Sequence, residues 1–504
     1  MKLKGTITVF LSFLLVFVTG LFFTMSEVVR YWCLQGQAER AAALACESTM
    51  ADYCRPLWEE FGILGLDGGY GEPVLRKQVY NDRLAEYMEK NGRPEGVSLM
   101  AQYPAVSELA DYHILTDAGG RGLVREAAQH MKDTIPEAAL NSAREMGKDL
   151  LSGEGGGSET EELLESGKKA MDAGKKNQSR DEDEEKVIPE GLKTLETVTG
   201  TEPDKATMDK IDAAENPIES VGDVSATGIL DKVLRGKTVS GAVISDDRPS
   251  KRNRAEGTEA GRDATLAEKE LFKFWAGNTL QNYLTDYGRS GLKYEAEYVI
   301  CGHSSDRENL QGVVSRILGI REGANIAAIV SDPGKSGQAE AMAWGIALAM
   351  GMPEMKEAIK AAIIGSWAYT ESVLDLRLLL NGGRVSLMKS GAEWTTPIWM
   401  IVPYLSSDRQ ANNCSIGMTY KGYLQGFLLA MFTDTAAMRS CDILESAIRQ
   451  DSNYAYFRMD NCIYEVRARE TYQASPLFLS YVLILQGNVQ TYTFEYPQSL
   501  SYIS

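Results

Sequence analysis

The amino terminus carries an uninterrupted stretch of twenty-two uncharged residues, Gly5 to Ser26, most of them Phe, Leu, Val or Thr. A helix of that length spans about 33 Å, which matches the hydrocarbon core of a bilayer. Because Lys2 and Lys4 precede the stretch, the positive-inside rule predicts a cytoplasmic amino terminus and an exported remainder. Residues 1–26 are therefore predicted to anchor a single-pass cell-membrane protein in the lipid bilayer.

Two other structures could account for an apolar amino terminus. A cleavable signal peptide has a shorter apolar stretch and a small-x-small cleavage site, whereas this stretch ends in Phe22-Phe23-Thr24-Met25-Ser26. A helix buried in a protein core is the other alternative, and the density of phenylalanine at the extreme terminus disfavours it. The transmembrane anchor is the preferred interpretation.

The helical pattern continues beyond the apolar stretch. No proline occurs before Pro56, and apolar or small residues recur every three to four positions, at Leu34, Ala38, Ala41, Ala45, Thr49 and Tyr53. This spacing predicts one long helix, embedded in the membrane in its first third and amphipathic afterwards, with an alanine-rich face that permits close approach of another helix. An ordinary juxtamembrane helix is the simpler alternative. Residues 27–112 are assigned to this helix and a small helical region.

The middle of the chain lacks aromatic residues. All 43 Phe, Trp and Tyr residues lie outside positions 113–271, and residues 151–215 contain eighteen acidic and nine basic side chains. Low hydrophobicity with excess charge is typical of disorder, so residues 113–265 are predicted to form a flexible acidic spacer. The acidic run 181–185 lacks the ligand spacing and turn glycine of a calcium loop. A small basic cluster, Arg248, Lys251, Arg252 and Arg254, is predicted to be a solvated, protease-sensitive loop.

Residues 266–504 regain the patterns of a folded domain. Helical periodicity occurs at 266–287, 310–319, 338–350, 355–380, 420–432 and 435–448. Strand-like alternation occurs at 294–300, 384–388, 454–459, 462–469, 477–485 and 490–496, with hairpin turns at 460–461 and 487–488. The fold class is therefore α+β: a long amino-terminal helix, an acidic spacer and an extracytoplasmic α+β domain.

Two carboxylates in this domain lie four residues apart. Glu371 and Asp375 share a helix face, and Arg377 and Lys389 are candidate counter-ions. A catalytic pair of carboxylates would use such proximity to separate two pKa values. The preferred interpretation is a structural polar network of Glu371, Asp375, Arg377 and Lys389.

Other motifs do not complete a site. Residues 331–337 lack the first glycine of a phosphate loop, so a turn with a lysine is predicted. Around His303, Ser305 or Asp306 is expected to cap a helix, with no second cluster to complete a zinc site or a triad. The seven cysteines include no CxxC pair, and no disulfide framework is predicted. No catalytic, cofactor-binding or metal-binding residue is assigned.

Net charge excludes one class of partner. Fifty-two basic and seventy acidic residues give −18, whereas a protein that binds a phosphate backbone needs clustered Lys and Arg. The three histidines, scattered along the chain, do not supply a histidine-rich metal centre. No nucleic-acid partner and no cofactor are expected.

The amino-terminal motif resembles that of a known group. Lys4-Gly5-Thr6, followed by a hydrophobic helix, is similar to the start of TadE/TadG-type pseudopilins, although Phe10 occupies the position where that group usually has glutamate. The resemblance implies a prepilin-peptidase cut between Gly5 and Thr6. It also implies pilus or pseudopilin-type protein partners, bound through the amino-terminal helix.

Further stretches extend the resemblance to an uncharacterised family of large single-pass, TadE/TadG-like envelope proteins of Gram-positive anaerobes. They are residues 47–67, 298–310, 320–325, 367–377, 381–385 and 458–462. That family is linked to Tad/Flp pilus assembly. The implied function is a non-enzymatic, membrane-anchored structural or accessory component of pilus or surface-adherence machinery. The alternative is an anchored extracytoplasmic enzyme or ligand-binding module that uses acidic residues of the carboxy-terminal domain.

Overall fold

The long amino-terminal helix is present: in the computed structural model, α1 runs without a break over Leu3–Met50. The structure describes residues 3–92, 99–132, 228–258, 261–289, 291–480 and 491–503, with isolated positions between 163 and 221. From Ile7 to Met25 the side chains of α1 are exposed, and this part is long and apolar enough to cross a bilayer. It is not the buried core helix considered as an alternative.

The remaining elements of the described ranges mix helix and strand. The further helices are α2 (Arg55–Phe61), α3 (Lys77–Gly92), α4 (Asp117–Lys132), α5 (Ile229–Leu234), α6 (Leu266–Thr279), α7 (Glu295–Cys301), α8 (Asp306–Ser331), α9 (Pro333–Ala349), α10 (Lys356–Leu379), α11 (Ile401–Ser406), α12 (Tyr420–Ala430) and α13 (Thr433–Ile448). The strands are β1 (Leu66–Asp67), β2 (Tyr103–Ile114), β3 (Cys462–Ala474) and β4 (Tyr492–Ser501). The α+β class is confirmed.

The chain divides into two compact units that are not consecutive segments. The first unit combines Met1–Asp133, Asp246–Phe272 and Ala437–Ser504, and the second combines Thr134–Ser245 with Lys273–Ala436. The predicted boundaries after residues 112 and 265 do not separate these units, because β3 and β4 belong with the amino-terminal helix. The boundaries were predicted from local composition, which does not show that strands distant in the chain pair with each other.

The sheet of the first unit is antiparallel and centred on β3. β2 pairs along one side of β3, from Tyr103↔Gln473 to Ile114↔Ile463. β4 pairs along the other side, from Glu465↔Ser501 to Ala474↔Tyr492, and the short β1 pairs at the start of β3. Residues 103–112, assigned to a helical region from the sequence, therefore belong to a strand, as do residues 113–114 of the predicted spacer.

One face of this sheet packs against the second half of α1 and against α3. The alanine-rich face of α1 is buried there, with Ala38, Ala42 and Ala45 fully excluded from solvent. Tyr80 and Leu84 of α3 complete the same core. Small side chains let the backbone of α1 approach its neighbours closely, so the predicted alanine face is confirmed, and its neighbours include a sheet as well as a helix.

The second unit, in its described part, is helical. α8 and α9 pack against α10, and α7 packs against α8. α10 is buried on nearly every side between Ile359 and Leu379, which explains a sequence with little polar–apolar alternation. The helices predicted at 310–319, 338–350, 355–380, 420–432 and 435–448 are confirmed. α8, with 26 residues, extends beyond the first of them at both ends and includes 326–330.

Several predicted strands are wrong. Residues 294–300 form α7, and alternation misled there because both faces of the segment are buried, with Glu295 and Glu297 accepting hydrogen bonds inside the core. Residues 384–388 contribute a single bridge, Val385↔Met418. Residues 460–461 lie in a short 3-10 helix rather than a hairpin turn. β4 pairs with β3, and most of the strand predicted at 477–485, together with the second predicted turn, 487–488, lies outside the described residues.

The predicted spacer is wrong at both ends. Asp117 opens α4, and one of its carboxylate oxygens accepts a 2.9 Å hydrogen bond from the Gly257 backbone N–H. The N–H of Tyr112 donates to the Thr258 hydroxyl at 2.9 Å. Residues near 113 and near 258 are thus bonded to each other inside the first unit. The acidic run 181–185 lies outside the described residues.

Candidate functional site

The two carboxylates singled out from the sequence lie on one face of α10. Glu371 and Asp375 are four residues apart, one helical turn, and both are fully excluded from solvent. An isolated buried carboxylate is strongly unfavourable, so each needs a cationic or hydrogen-bonding partner. The structure supplies both kinds.

Two cations neutralise this carboxylate pair. The Lys389 ammonium contacts Glu371 Oε1 and lies 2.5 Å from Asp375 Oδ1. Arg321 Nε of α8 lies 3.0 Å from Asp375 Oδ2, and all four side chains are fully buried. Burial lowers the pKa of Arg321, but the charges and hydrogen bonds of Asp375 and Tyr423 together outweigh it, and the pKa is raised above its ordinary value. We call these four residues the buried quartet; its formal charge is zero.

The buried quartet also fixes the segment that follows α10. Glu371 accepts hydrogen bonds from the backbone N–H groups of Thr395 at 3.0 Å and Thr396 at 2.9 Å. The Arg321 guanidinium donates to the carbonyls of Ser386 and Leu387, both at 2.9 Å. These charge-assisted bonds hold residues 386–396 against α8 and α10.

Arg377 does not join the quartet, which corrects the sequence-based network. Its guanidinium donates to backbone carbonyls, among them Lys232 and Leu405 at 3.0 and 2.9 Å. Two residues beyond Asp375, it projects from a different side of the helix. Burial, with the nearby Arg235 charge, lowers the pKa of Arg377 to about 10. Arg321, which the sequence did not single out, takes its place.

An open cleft of about 340 Å³ borders residues 391–399. The carbonyl of Thr396 accepts hydrogen bonds from the indole N–H groups of Trp367, at 2.7 Å, and Trp394, at 2.8 Å. The Lys335 ammonium lies 4.8 Å from the centre of the Trp394 ring. The cleft is lined by Asp332, Gly334, Lys335, Gln338, Trp367, Gly391, Trp394, Thr395, Thr396, Pro397 and Trp399. Its wall is therefore held by the buried quartet through Glu371.

The remaining sequence motifs have structural roles. Ser305 caps α8 by accepting from the Glu308 N–H, as predicted. Asp306 is buried and accepts from the N–H groups of Lys293 and Tyr294. Residues 331–337 are a junction between two helices, where Asp332 caps α9 and pairs with Lys335 at 2.7 Å. No strand precedes this junction, so it lacks the context of a phosphate loop.

The basic cluster near residue 250 is solvated only in part, because Lys251 and Arg254 are exposed whereas Arg248 is buried. The Arg252 side chain, 9% exposed, binds Glu445 of α13 and Asp460. The Asp442 carboxylate accepts from the Ser250 N–H at 2.8 Å. No local pattern indicates these acidic partners, because they lie about two hundred residues further along the chain.

The described residues were compared with the side-chain groupings that a metal site or a disulfide bond requires. No group of three or more His, Cys, Asp or Glu side chains there is placed to hold a metal ion. No disulfide joins any of the seven cysteines, all of which are described. The backbone at Gly5 and Thr6 is helical, and processing between them stays a prediction.

Comparison with known proteins gives one match. The model of a family of unknown function, DUF5702, matches residues 208–474, which is slightly more than half of the chain. No curated protein and no solved structure matches the chain. The match includes the buried quartet and the cleft but not α1.

Proposed function

Because the chain belongs to the DUF5702 family, whose function is unknown, we propose a function from the contacts of the chain itself. The protein is a non-enzymatic, single-pass membrane protein with a cytoplasmic amino terminus and an extracytoplasmic bulk. It acts as a structural or accessory component of a Tad-type pilus or surface-adherence machinery, and α1 is the element through which it meets pilus-type partners.

The observation that carries the proposal is the division of α1 into two halves. The side chains from Ile7 to Met25 are exposed and apolar, whereas Leu34, Ala38 and Ala45 are buried against the sheet. A single helix thus continues from a membrane-length apolar segment into the core of the first unit. An element of this kind anchors a folded unit rigidly, without a flexible tether.

The buried quartet supports the non-enzymatic part of the proposal. Glu371 and Asp375 are paired with Lys389 and Arg321 and have no exposed surface. A general acid or base must reach a substrate proton within hydrogen-bonding distance. Carboxylates that are neutralised and buried in this way favour a structural role.

Membrane anchoring and orientation are tested on intact cells. The full chain with a carboxy-terminal epitope should stay in the membrane fraction after alkaline carbonate washing, and external protease should remove the epitope. The matched control carries Leu14→Arg and Leu15→Arg, each costing about 2.5–3.5 kcal/mol at the centre of a membrane helix. Carbonate extraction of the unaltered chain, or an epitope protected from external protease, would contradict the anchor.

The pilus role is tested separately, by deleting the gene in its host. Electron microscopy should show loss or shortening of pili, and adherence to a surface should fall. Complementation with the unaltered gene should restore both, and complementation with the Leu14→Arg, Leu15→Arg variant should not. Normal piliation and adherence in the deletion strain would contradict the proposed pilus role but would not bear on the proposed membrane anchor.

The cleft favours a second candidate, an anchored ligand-binding module. Trp394 and Trp399 are partly exposed, and Thr395, Gln338 and Lys335 add polar groups, a mixture typical of small-ligand sites. Titration of intrinsic tryptophan fluorescence with a panel of soluble saccharides tests this candidate, with Trp394→Ala as the comparison. A saturable change that Trp394→Ala abolishes would support it, and an unchanged spectrum throughout the panel would count against it.

A further inference from the structure

The described start of the connection between β3 and β4, residues 475–480, contacts α1 at the end of its apolar segment. The rings of Phe23 and Phe478 stack, with centroids 6.2 Å apart and planes 18° apart. Phe23 lies inside the uncharged stretch that ends at Ser26. Residues 475–480, which we call the β3–β4 tip, therefore lie beside the last turn of the proposed membrane span.

Polar contacts fix the β3–β4 tip at this height on α1. The carboxylate of Glu27, 2% exposed, accepts hydrogen bonds from the backbone N–H groups of Leu477, at 3.0 Å, and Phe478, at 2.6 Å. Arg30 pairs with Glu27 at 2.9 Å and donates to the Ser475 carbonyl at 3.0 Å. Glu27, the first charged residue after the apolar stretch, therefore binds this tip directly and through Arg30.

The β3–β4 tip leaves apolar surface uncovered. Leu477 is 44% exposed and Phe23 is 46% exposed, although the two segments are in contact. Trp32, about two and a half turns beyond Phe23 on α1, is 64% exposed. Tryptophan is enriched where a membrane protein crosses from the acyl chains to the headgroups.

The height of the tip follows from the geometry of α1. A hydrocarbon core of about 30 Å takes up about twenty helical residues, so a span that begins near Gly5 ends close to Phe23 and Glu27. Phe478 contacts Phe23 and must lie at the same depth. The exposed side of Leu477 then faces acyl chains or the headgroup boundary.

We propose that the β3–β4 tip is a second membrane-contacting element, in which Leu477 and Phe478 insert into the outer boundary of the bilayer beside α1. This inference rests on the proposed membrane anchor. The partner is the lipid bilayer itself, because the tip continues the apolar surface of the span and carries no charged residue between Ser475 and Ser480. The tip holds the first unit directly against the membrane surface.

The experiment measures the depth of a fluorescent label in vesicles. The full chain, with Cys33→Ser and Cys301→Ser to remove the cysteines that are not buried, is reconstituted into vesicles of phosphatidylcholine and phosphatidylglycerol. An environment-sensitive label is attached at Leu477→Cys, or at Asn453→Cys as the matched control. Asn453 is also exposed and belongs to the first unit. Burial, and then the nearby Cys54 that follows α1, raises the pKa of the adjacent Tyr454, so Asn453 lies near the end of α1 that is farther from the span.

Lipids that carry a doxyl quencher high on the acyl chain should reduce the emission of the label at 477 several-fold and leave the label at 453 unchanged. Glu27→Ala, which removes the acceptor for the N–H groups of Leu477 and Phe478, should weaken the quenching at 477. If the chain co-floats with vesicles but the two labels respond alike, the tip is not inserted and the anchor stands. If the chain does not co-float, the anchor and this inference both fail.

Discussion

The guanidinium group of Arg252 donates to both carboxylate oxygens of Glu445, at distances of 2.6 and 2.7 Å. The residues are separated by 193 positions in the chain, and both are largely buried. Asp460 binds the same guanidinium, and the Met459 N–H donates to Glu445 at 2.9 Å. This contact attaches the segment after residue 246 to α13 and to the start of β3 within the first unit.

Arg252→Ala should destabilise the first unit by about 3–5 kcal/mol, because Glu445 and Asp460 would stay buried without the cation that they share, and Arg449, 2.9 Å from Glu445, compensates only one of the two carboxylates. Hydrogen exchange in α13 and β3 measures the effect locally and should speed up accordingly. Lys251→Ala is the control, since Lys251 is half exposed and pairs with an exposed Asp246; its effect should stay below about 0.5 kcal/mol. Equal protection of α13 and β3 from hydrogen exchange in the Arg252 and Lys251 variants would show that the ion pairs of Arg252 contribute little to stability.

Lys389→Met should destabilise the second unit by about 3–5 kcal/mol, because Glu371 would lose its cation and Asp375 one of its two. The double variant Lys389→Met, Glu371→Gln should recover part of that loss, since one uncompensated charge is removed with the cation. Urea unfolding followed by tryptophan fluorescence measures both, as five of the seven tryptophans lie in the second unit. Additive losses in the double variant would contradict direct coupling between the two residues.

Glu470 should make the first unit less stable at alkaline pH. It is fully buried in β3, and neither carboxylate oxygen has a hydrogen-bond partner among the described residues. Burial raises the pKa of Glu470 to about 8, above the ordinary value of 4.5, so the folded state holds the proton more tightly than the unfolded state. Its contribution to stability is full below about pH 4.5 and is lost as the pH rises through about 8.

The corresponding measurement is the free energy of unfolding against pH. The loss across this range should be on the order of 5 kcal/mol from Glu470, and Glu470→Gln should remove that share of the pH dependence. Burial also raises the pKa of Glu126 to about 8. Part of the dependence of stability on pH will therefore remain in the Glu470→Gln variant. Glu495→Gln, on an exposed side chain of β4, is the control and should leave the curve unchanged. A Glu470→Gln curve parallel to that of the unaltered chain would refute the assignment.

Ala42→Leu should destabilise the first unit by about 1–3 kcal/mol, because the fully buried Ala42 faces the core and has no room for a larger side chain. Leu44→Ala changes an exposed residue of the same helix and should cost less than about 0.5 kcal/mol. Thermal unfolding in detergent micelles, read by protease resistance of β3, compares the two. Similar losses in both variants would mean that the alanine face does not set the packing distance.

Structure could be predicted from the sequence where the interactions that determine it are local. A run of apolar residues without proline predicts α1, and its alanine spacing predicts the buried face, because both depend on one helical turn. The i, i+4 spacing likewise predicts that Glu371 and Asp375 lie together. Local patterns fail at α7, where strand-like alternation is misleading because the helix is buried on both faces.

Contacts between distant positions account for the rest. Arg321 lies 54 residues before Asp375, and nothing in its neighbourhood marks it as the second cation of the buried quartet. Arg252 looks like part of a solvated basic loop because its acidic partners belong to α13 and to Asp460. The composition of a segment does not show this, because Arg321 and Arg252 become buried only when segments distant in the chain pack together.

The order in which the first unit can fold follows from its sheet. β3 begins 412 positions after α1 ends, so during synthesis the alanine face of α1 is made long before the strands that cover it. Contacts of such long sequence separation form slowly, since a large loop must close first. Until β3 and β4 are made, the buried face of α1 can therefore pack against α3 but not against the two strands that complete its core.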